Sequence, residues 1–363
     1  MSTSKIERLQ QARTALADRA FRVLFYTPDT EGVPSGAIIE IYQLAATLRR
    51  QGYDASILSE NPKYVVPRYL DEDLQAIPHF VIGDKSLLMK PEDILVIPEY
   101  FTSVMLQTAK LPCLRVVLVQ GYDNALINMI PGTSWTQMGI TQVWTMGKPL
   151  TEFIEDLYGG SMQVETLRIG LPEYFKPSAV KDPVIAVQVR NALDLKKISN
   201  EFYARFPELR WVGFEPLSFS QDNKGRTRRE YAQMLAKSMV VLWVDRVAAF
   251  GQTAIEAMAC QTPIVGLVPD HDPEYLSETN GVWVNRFPEL ARNLGNVFKL
   301  SMENGLPEWL TTGMQTTAEA YSAAAAEAVL TSAFAATLAR RDLHLQDLIT
   351  HFENKDLLAA EVA

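Results

Sequence analysis

Short runs of β-branched and aromatic residues alternate along this chain with segments whose apolar residues recur at helical spacing. The run FRVLFY at residues 21–26 has the composition of a buried strand. The segment after Gly36 has its apolar residues on one helix face, at Ile38, Ile41, Tyr42, Ala45 and Leu48. This alternation is typical of βαβ units, in which helices connect the strands of a mainly parallel sheet.

The alternation occurs in two series. The first contains the strand-like runs FRVLFY, DASILSE, DILVIP, RVVLVQ and QVWTM, and the second contains DPVIAVQV, LRWVGF, MVVLWV, PIVGLVP and GVWV. Between them lies GLPEYFKPSAVKDP (170–183), whose proline and polar residues indicate a linker. The Ala-rich segment after residue 306 has high helix propensity, and we expect its helices to pack back across the domains. We therefore predict three parts, at 1–172, 173–306 and 307–363.

The predicted fold class is α/β, with two Rossmann-like domains facing each other across a cleft. A chain of 363 residues with 47% hydrophobic residues can fill two such cores. In open α/β sheets, ligands bind at the carboxyl ends of the strands. The cleft between the two sets of strand ends is therefore the expected active site.

Charge and cysteine content narrow the class of protein. The net charge of −9 gives no overall attraction for nucleic acid, although a local basic patch is compatible with it. The two cysteines, Cys113 and Cys260, lie far apart in apolar segments, which argues against a disulfide framework and favours a reducing cytoplasm. The first 20 residues are predicted to form a polar helix rather than a signal peptide. No apolar run is long enough for a transmembrane segment.

The stretch FGQTAIEAMACQTPIVG (250–266) sets one glutamate among apolar residues. A helix beginning near Gly251 would direct unpaired backbone N–H groups and a positive dipole end into the cleft, where a diphosphate would be stabilised. Glu256 lies one turn further on, beside Ile255 and Met258. Because an unpaired buried carboxylate is costly, we predict a functional group there. The alternative is a first-turn glutamate that the helix dipole favours.

Three segments, in order, resemble the retaining glycosyltransferases of family 4. PSGAIIEIYQLAATLRRQGYDASILS is similar to the glycine loop and first helix of that family, VETLRIGLPEYFKP to its strand and turn, and FGQTAIEAMACQTPIVG to its most specific signature. The resemblance spans most of residues 21–285. It implies a glycosyltransferase-B fold and a nucleoside-diphosphate sugar as donor substrate, with no cofactor and no metal.

The resemblance implies roles for individual residues of the donor site. Glu256 would bind the nucleotide ribose within a nucleotide-sugar site formed by Ser35, Gly36, Gly213, Phe250, Gly251, Gln252, Thr253 and Glu256. Arg190 and Lys196, or Lys197 in its place, would stabilise the leaving diphosphate, the alternative being ordinary exposed cations.

The chain departs from the family at the first of two signature glutamates. Ala248 occupies that position. Asp245 in the same loop is the candidate substitute and our third catalytic residue. The alternative is a solvated loop residue after a strand.

Acceptor contacts are expected from residues that differ from the family pattern. Gln120 occupies a place where the family commonly has histidine, and His271 and Asp272 lie in a loop that replaces its glycines. A metal at His271 is disfavoured because the chain has only four histidines. The basic run NKGRTRRE (223–230) includes Lys224 and Arg226. A run of this kind is typical of a solvated helix start, and the alternatives are a contact to a donor phosphate or to a polyanionic acceptor such as DNA.

The sequence therefore predicts a cytoplasmic retaining hexosyl- or pentosyltransferase that moves a sugar from a nucleotide sugar to a glycan, or to DNA. One alternative is a sugar-nucleotide or glycan binding protein that has lost turnover, with Ala248 and Gln120 as signs of degeneration. The other is an epimerase of the same fold. Donor hydrolysis or sugar transfer would distinguish the transferase from the binding protein. Sugar interconversion without an acceptor would indicate the epimerase.

Overall fold

The computed structural model describes residues 20–31, 35–84, 87–217, 226–247, 250–271, 273–303 and 305–362. The polar helix predicted over the first 20 residues falls almost entirely outside these ranges. Ala248, Lys224 and Asp272 also lie outside them.

The first half of the chain forms a seven-stranded parallel sheet. Its strands are β1 (Arg22–Tyr26), β2 (Asp54–Ser59), β3 (His79–Val81), β4 (Ile94–Pro98), β5 (Leu114–Val119), β6 (Gln142–Met146) and β7 (Gln163–Leu167). They are arranged in the order β3-β2-β1-β4-β5-β6-β7, and every pairing is parallel. The helices between them are α1 (Gly36–Arg50), α2 (Glu72–Gln75), α3 (Thr102–Gln107), α4 (Tyr122–Ile127) and α5 (Lys148–Tyr158).

The second half forms a five-stranded parallel sheet. Its strands are β8 (Asp182–Val189), β9 (Gly213–Pro216), β10 (Ser238–Val244), β11 (Ile264–Leu267) and β12 (Val282–Val284). Their order is β12-β11-β10-β8-β9, again with parallel pairing throughout. The helices of this half are α6 (Ala192–Arg205), α7 (Arg228–Lys237), α8 (Gln252–Ala259) and α9 (Leu290–Glu303). The two Rossmann-like sheets predicted from the sequence are confirmed.

Two C-terminal helices contact both halves. They are α10 (Glu308–Ala320) and α11 (Ala323–Val362). On α10, Thr317 Oγ1 accepts a hydrogen bond of 2.9 Å from Asn280 Nδ2 of the second half. On α11, Thr337 Oγ1 accepts one of 2.9 Å from Trp144 Nε1, on β6 of the first sheet. The part boundaries at residues 172 and 306 remain predictions.

The apolar patterns translate into buried faces where the runs are long. All five residues predicted to share one face of α1 are buried. LRWVGF is different, because Pro207–Leu209 form a 3-10 turn and Trp211 is exposed, so β9 begins only at Gly213. β3 was not predicted, since three half-buried residues give no recognisable run.

Among the described helices, none has both the length and the apolar composition needed to cross a membrane.

Candidate functional site

The strand ends of the two sheets enclose a space of about 900 Å³, which we call the interdomain cleft. From the first half it is lined by Ser35, Gly36, Glu40, Gln120, Gly121, Tyr122, Asp123 and Asn124, among others. From the second half it is lined by Arg190, Arg228, Tyr231, Trp243, Asp245, Phe250, Gly251, Gln252, Thr253 and Glu256, among others. The cleft therefore lies where open α/β sheets bind their ligands.

Gly251 fixes the start of α8 at the wall of the cleft. Its φ of +72° is in the left-handed region, which favours glycine. A Cβ at this position would lie 2.4 Å from Trp243 Cζ2, so no side chain fits. Tyr275 donates a hydrogen bond of 2.8 Å to the Gly251 carbonyl oxygen. The turn is thus held rigidly, and the first N–H groups of α8, at Gln252 and Thr253, lie beside the cleft.

Glu256 is an internally paired buried carboxylate on the same wall. Its side chain is 3% exposed and that of Arg228 is 2% exposed. Arg228 Nη2 donates to Glu256 Oε1 at 2.9 Å, and Tyr231 Oη donates to Oε2 at 3.0 Å. Burial raises the pKa of Glu256, whereas Arg228 and Tyr231 act against this shift. Each carboxylate oxygen retains a further lone pair for a ligand.

Arg228 corrects our interpretation of the basic run. That run was interpreted as a solvated helix start, with contacts to a donor phosphate or to a polyanionic acceptor as the alternatives, but Arg228 is buried against Glu256 and its guanidinium lies over the Phe175 ring. The cause is local: Thr227 caps α7 through a capping box with Glu230, so the helix begins at Arg228. The solvated interpretation is therefore wrong for Arg228, which lines the interdomain cleft.

The other described cations of that run have separate contacts. Arg229 lies 3.7 Å from Asp71 and over the ring of Tyr174. Arg226 donates to the Pro216 carbonyl oxygen at 3.4 Å and does not line the interdomain cleft.

Arg190 and Asp245 form an ion pair at the mouth of the cleft. Arg190 Nε lies 2.8 Å from Asp245 Oδ1, with Asp245 buried and Arg190 largely exposed. The two residues follow β8 and β10, which are adjacent in the sheet, so their strand ends meet. The contact is made through Nε and lacks hydrogen-bond geometry, so it brings the two charges together without using the terminal N–H groups of the guanidinium.

The structure brings most of the described residues predicted for the donor, catalytic and acceptor sites together, but not all. Lys196 is exposed on α6 and does not line the cleft. Gly213 is the first residue of β9 and does not line the cleft either. His271 stacks on the Tyr122 ring with centroids 3.7 Å apart, so it sits next to the cleft wall rather than on it.

Gln120 joins the end of β5 to α1. Its Nε2 donates a hydrogen bond of 3.0 Å to the Ala37 carbonyl oxygen. Its Oε1 is buried and has no hydrogen-bond partner within the part of the chain that the structure describes. A polar atom in this state is available to a ligand in the cleft.

Two buried glutamates were missed at the sequence level. Glu40 lines the cleft from α1, and burial raises its pKa to about 8. Glu99 follows β4, close to Gly121, and burial raises its pKa to about 7. A signal for Glu40 existed: in AIIEIY it interrupts an apolar run just as Glu256 does. In the described ranges, no three His, Cys, Asp or Glu side chains group closely enough to hold a metal ion.

No protein-family model and no curated protein matches this chain. Solved structures do. A glycosyltransferase from Rickettsia africae ESF-5 is similar with a TM-score of 0.60 and 14% identity, over 90% of this chain and 99% of that one. The pneumococcal O-GlcNAc transferase GtfA, in complex with UDP and GlcNAc, gives a TM-score of 0.61 and 9% identity over 89% and 99%.

Anabaena HepE in complex with UDP is similar with a TM-score of 0.56 and 14% identity, over 89% of this chain and 100% of that one. These likenesses extend over both halves of the chain. The fold is therefore of the glycosyltransferase-B type.

Proposed function

We propose that this protein is a glycosyltransferase that moves a sugar from a nucleoside-diphosphate sugar, with retention of configuration, to an acceptor in the interdomain cleft. One observation carries the proposal: α8 begins at the cleft wall, with paired Glu256 one turn beyond its open end and Arg190 also lining the cleft. This set provides an anion site, a carboxylate for hydroxyl groups and an exposed cation.

This arrangement supports a position for each part of the donor. Its diphosphate would lie at the N–H groups of Gln252 and Thr253, where the helix dipole stabilises negative charge. Its ribose would lie beside Glu256, whose remaining lone pairs accept hydrogen bonds from hydroxyl groups. UDP is a reasonable first probe, because the structures of GtfA and HepE are in complex with it.

Bond breaking creates negative charge on the leaving diphosphate. Arg190 lies where it could stabilise that charge, together with the N–H groups of α8. Asp245 forms an ion pair with Arg190 and replaces, in our proposal, the missing signature carboxylate. Retention rests on the resemblance of the signature segment, and an NMR measurement of the anomeric configuration of the product tests it.

The acceptor would enter from the first half, next to Gln120, Tyr122 and the His271 ring stacked on it. Buried Arg228 removes one cation from the polyanion hypothesis, so we favour a glycan acceptor over DNA. The transferase itself is tested by incubating the protein with a panel of nucleotide sugars and measuring the released nucleoside diphosphate. Binding without release would indicate a binding protein, and interconversion of the sugar without an acceptor would indicate an epimerase.

Replacing Arg190 with alanine is expected to lower kcat by about 100-fold to 1000-fold, the effect of removing one donor to a developing oxyanion. KM should change less, because the contact strengthens as the bond breaks. Arg205→Ala is the matched control, since Arg205 is an arginine of α6 paired with Glu201 outside the cleft lining. Equal kcat in the wild type and Arg190→Ala would remove Arg190 from the mechanism.

A further inference from the structure

Glu40 is a buried carboxyl group on the opposite wall from Glu256. It lies on α1, is 3% exposed and lines the interdomain cleft. Its Oε2 has no hydrogen-bond partner among the residues that the structure describes. A buried polar atom without a partner is costly unless a ligand satisfies it. Nothing in the donor site described so far uses this group.

The two helices that face each other across the cleft place Glu40 at the level of Glu256. A Cβ on Gly36, the first residue of α1, would lie 3.0 Å from the side-chain oxygen of Gln252, the first residue of α8. Glu40 and Glu256 each lie four residues further, one turn along their own helix. If the diphosphate binds at the first turn of α8, Glu40 lies one turn away from it, beside the ribose.

We propose that Glu40 is a second carboxyl group of the donor site, which hydrogen-bonds a ribose hydroxyl from the first half of the chain while Glu256 holds the ribose from the second half. This inference rests on the proposed function. It makes the nucleotide a bridge between the two halves.

The surroundings of Glu40 fix its protonation state. The charged groups that act on it are Arg228 of α7, which favours the carboxylate, and Glu256 of α8, which opposes it. Because Arg228 is already paired with Glu256, one more buried negative charge is poorly compensated. Burial has the largest effect, and it raises the pKa of Glu40 to about 8. At neutral pH the group is a carboxylic acid, able to donate its O–H to a hydroxyl oxygen without repelling the diphosphate.

The sign of the pH dependence follows from this. Only the protonated form of Glu40 donates, and the ionised form adds a second buried negative charge near Glu256 and the diphosphate, so nucleotide affinity should fall as the pH rises through about 8. Between pH 7 and pH 9 the protonated fraction drops about tenfold, and the dissociation constant should rise by up to the same factor. Glu40→Gln keeps a donor but cannot ionise. The affinity of this variant for the nucleotide should equal that of the wild type at pH 7. It should not fall between pH 7 and pH 9 through ionisation at this position.

The test is a calorimetric titration of UDP, ADP and GDP into wild type, Glu40→Gln and Glu40→Leu at pH 7 and pH 9. The nucleotide titrates identically in every experiment, so the ratio of dissociation constants reports the protein group. Glu40→Leu should weaken binding about threefold to tenfold at pH 7. Arg50→Gln, exposed at the other end of the same helix and outside the cleft lining, is the control and should bind as the wild type does.

A 2′,3′-dideoxy form of the nucleotide that binds assigns the contact to the ribose, because it should bind wild type and Glu40→Leu equally. The inference about Glu40 would be overturned if the ratio of the dissociation constants of wild type and Glu40→Gln did not change with pH, or if Glu40→Leu bound the nucleotide as the wild type does. Neither result would affect the proposed function. If none of the three diphosphates binds the wild type, the proposed function falls and this inference falls with it.

Discussion

Replacing Arg228 by methionine is expected to lower the free energy of unfolding by about 3–5 kcal/mol, which is the effect of breaking a buried ion pair. Arg228 and Glu256 are both nearly inaccessible, and Arg228 provides one of the two hydrogen bonds that the Glu256 carboxylate accepts within the described chain. Methionine preserves much of the apolar volume but leaves a buried carboxylate without its cation. Urea denaturation at pH 7 measures the difference.

The control for this prediction is Arg229→Met. Arg229 is the next residue, but its side chain is largely exposed and its ion pair with Asp71 is long, at 3.7 Å. Its loss should therefore change stability by about 1 kcal/mol or less. Combining Arg228→Met with Glu256→Leu removes both charges and should recover most of the lost stability. A loss below 1 kcal/mol in the single variant would show that this pair is not a stabilising feature of the site.

Replacing Gly251 by alanine should have the second largest effect, about 2–5 kcal/mol of stability together with loss of nucleotide binding. A left-handed backbone costs a non-glycine residue about 1–2 kcal/mol, and overpacking adds about 1–3 kcal/mol. The clash is with Trp243 Cζ2, 2.4 Å from the new Cβ. Relieving it requires the start of α8 to move, which displaces the N–H groups proposed to hold the diphosphate.

Gly159→Ala separates backbone strain from steric clash. Gly159 is also left-handed, with φ 55° and ψ 42°, but a Cβ there would have no neighbour within 4 Å. It should lose only about 1–2 kcal/mol, and nucleotide affinity should be unchanged. Equal losses in the two variants would show that packing against Trp243 does not matter. Chemical denaturation of both proteins provides the comparison.

The sequence predicted features that are encoded within one segment. Two series of strands, the apolar face of α1 and the position of Glu256 on a helix at the cleft could all be inferred, because each depends on neighbours a few residues away. The same local logic applied to Glu40 in AIIEIY would have found the second buried carboxyl group.

Features that depend on distant partners could not be predicted. Nothing in the basic run shows that Arg228 meets a carboxylate 28 residues away while its neighbour Arg229 stays exposed. The residue at which a helix begins decides which of its side chains face the interior and which face solvent. Lys196 illustrates it, because Asn191 caps α6 and the side chain then falls on an exposed face, whereas Arg190 stays at the strand end.

Isothermal titration of UDP, ADP and GDP into the wild-type protein and into Gly251→Ala tests whether α8 opens a nucleoside-diphosphate site in the interdomain cleft. We expect at least one of the three to bind the wild type with one site per chain and to bind Gly251→Ala at least tenfold more weakly. No binding of any of the three to the wild type, or equal affinity for the two proteins, would contradict it.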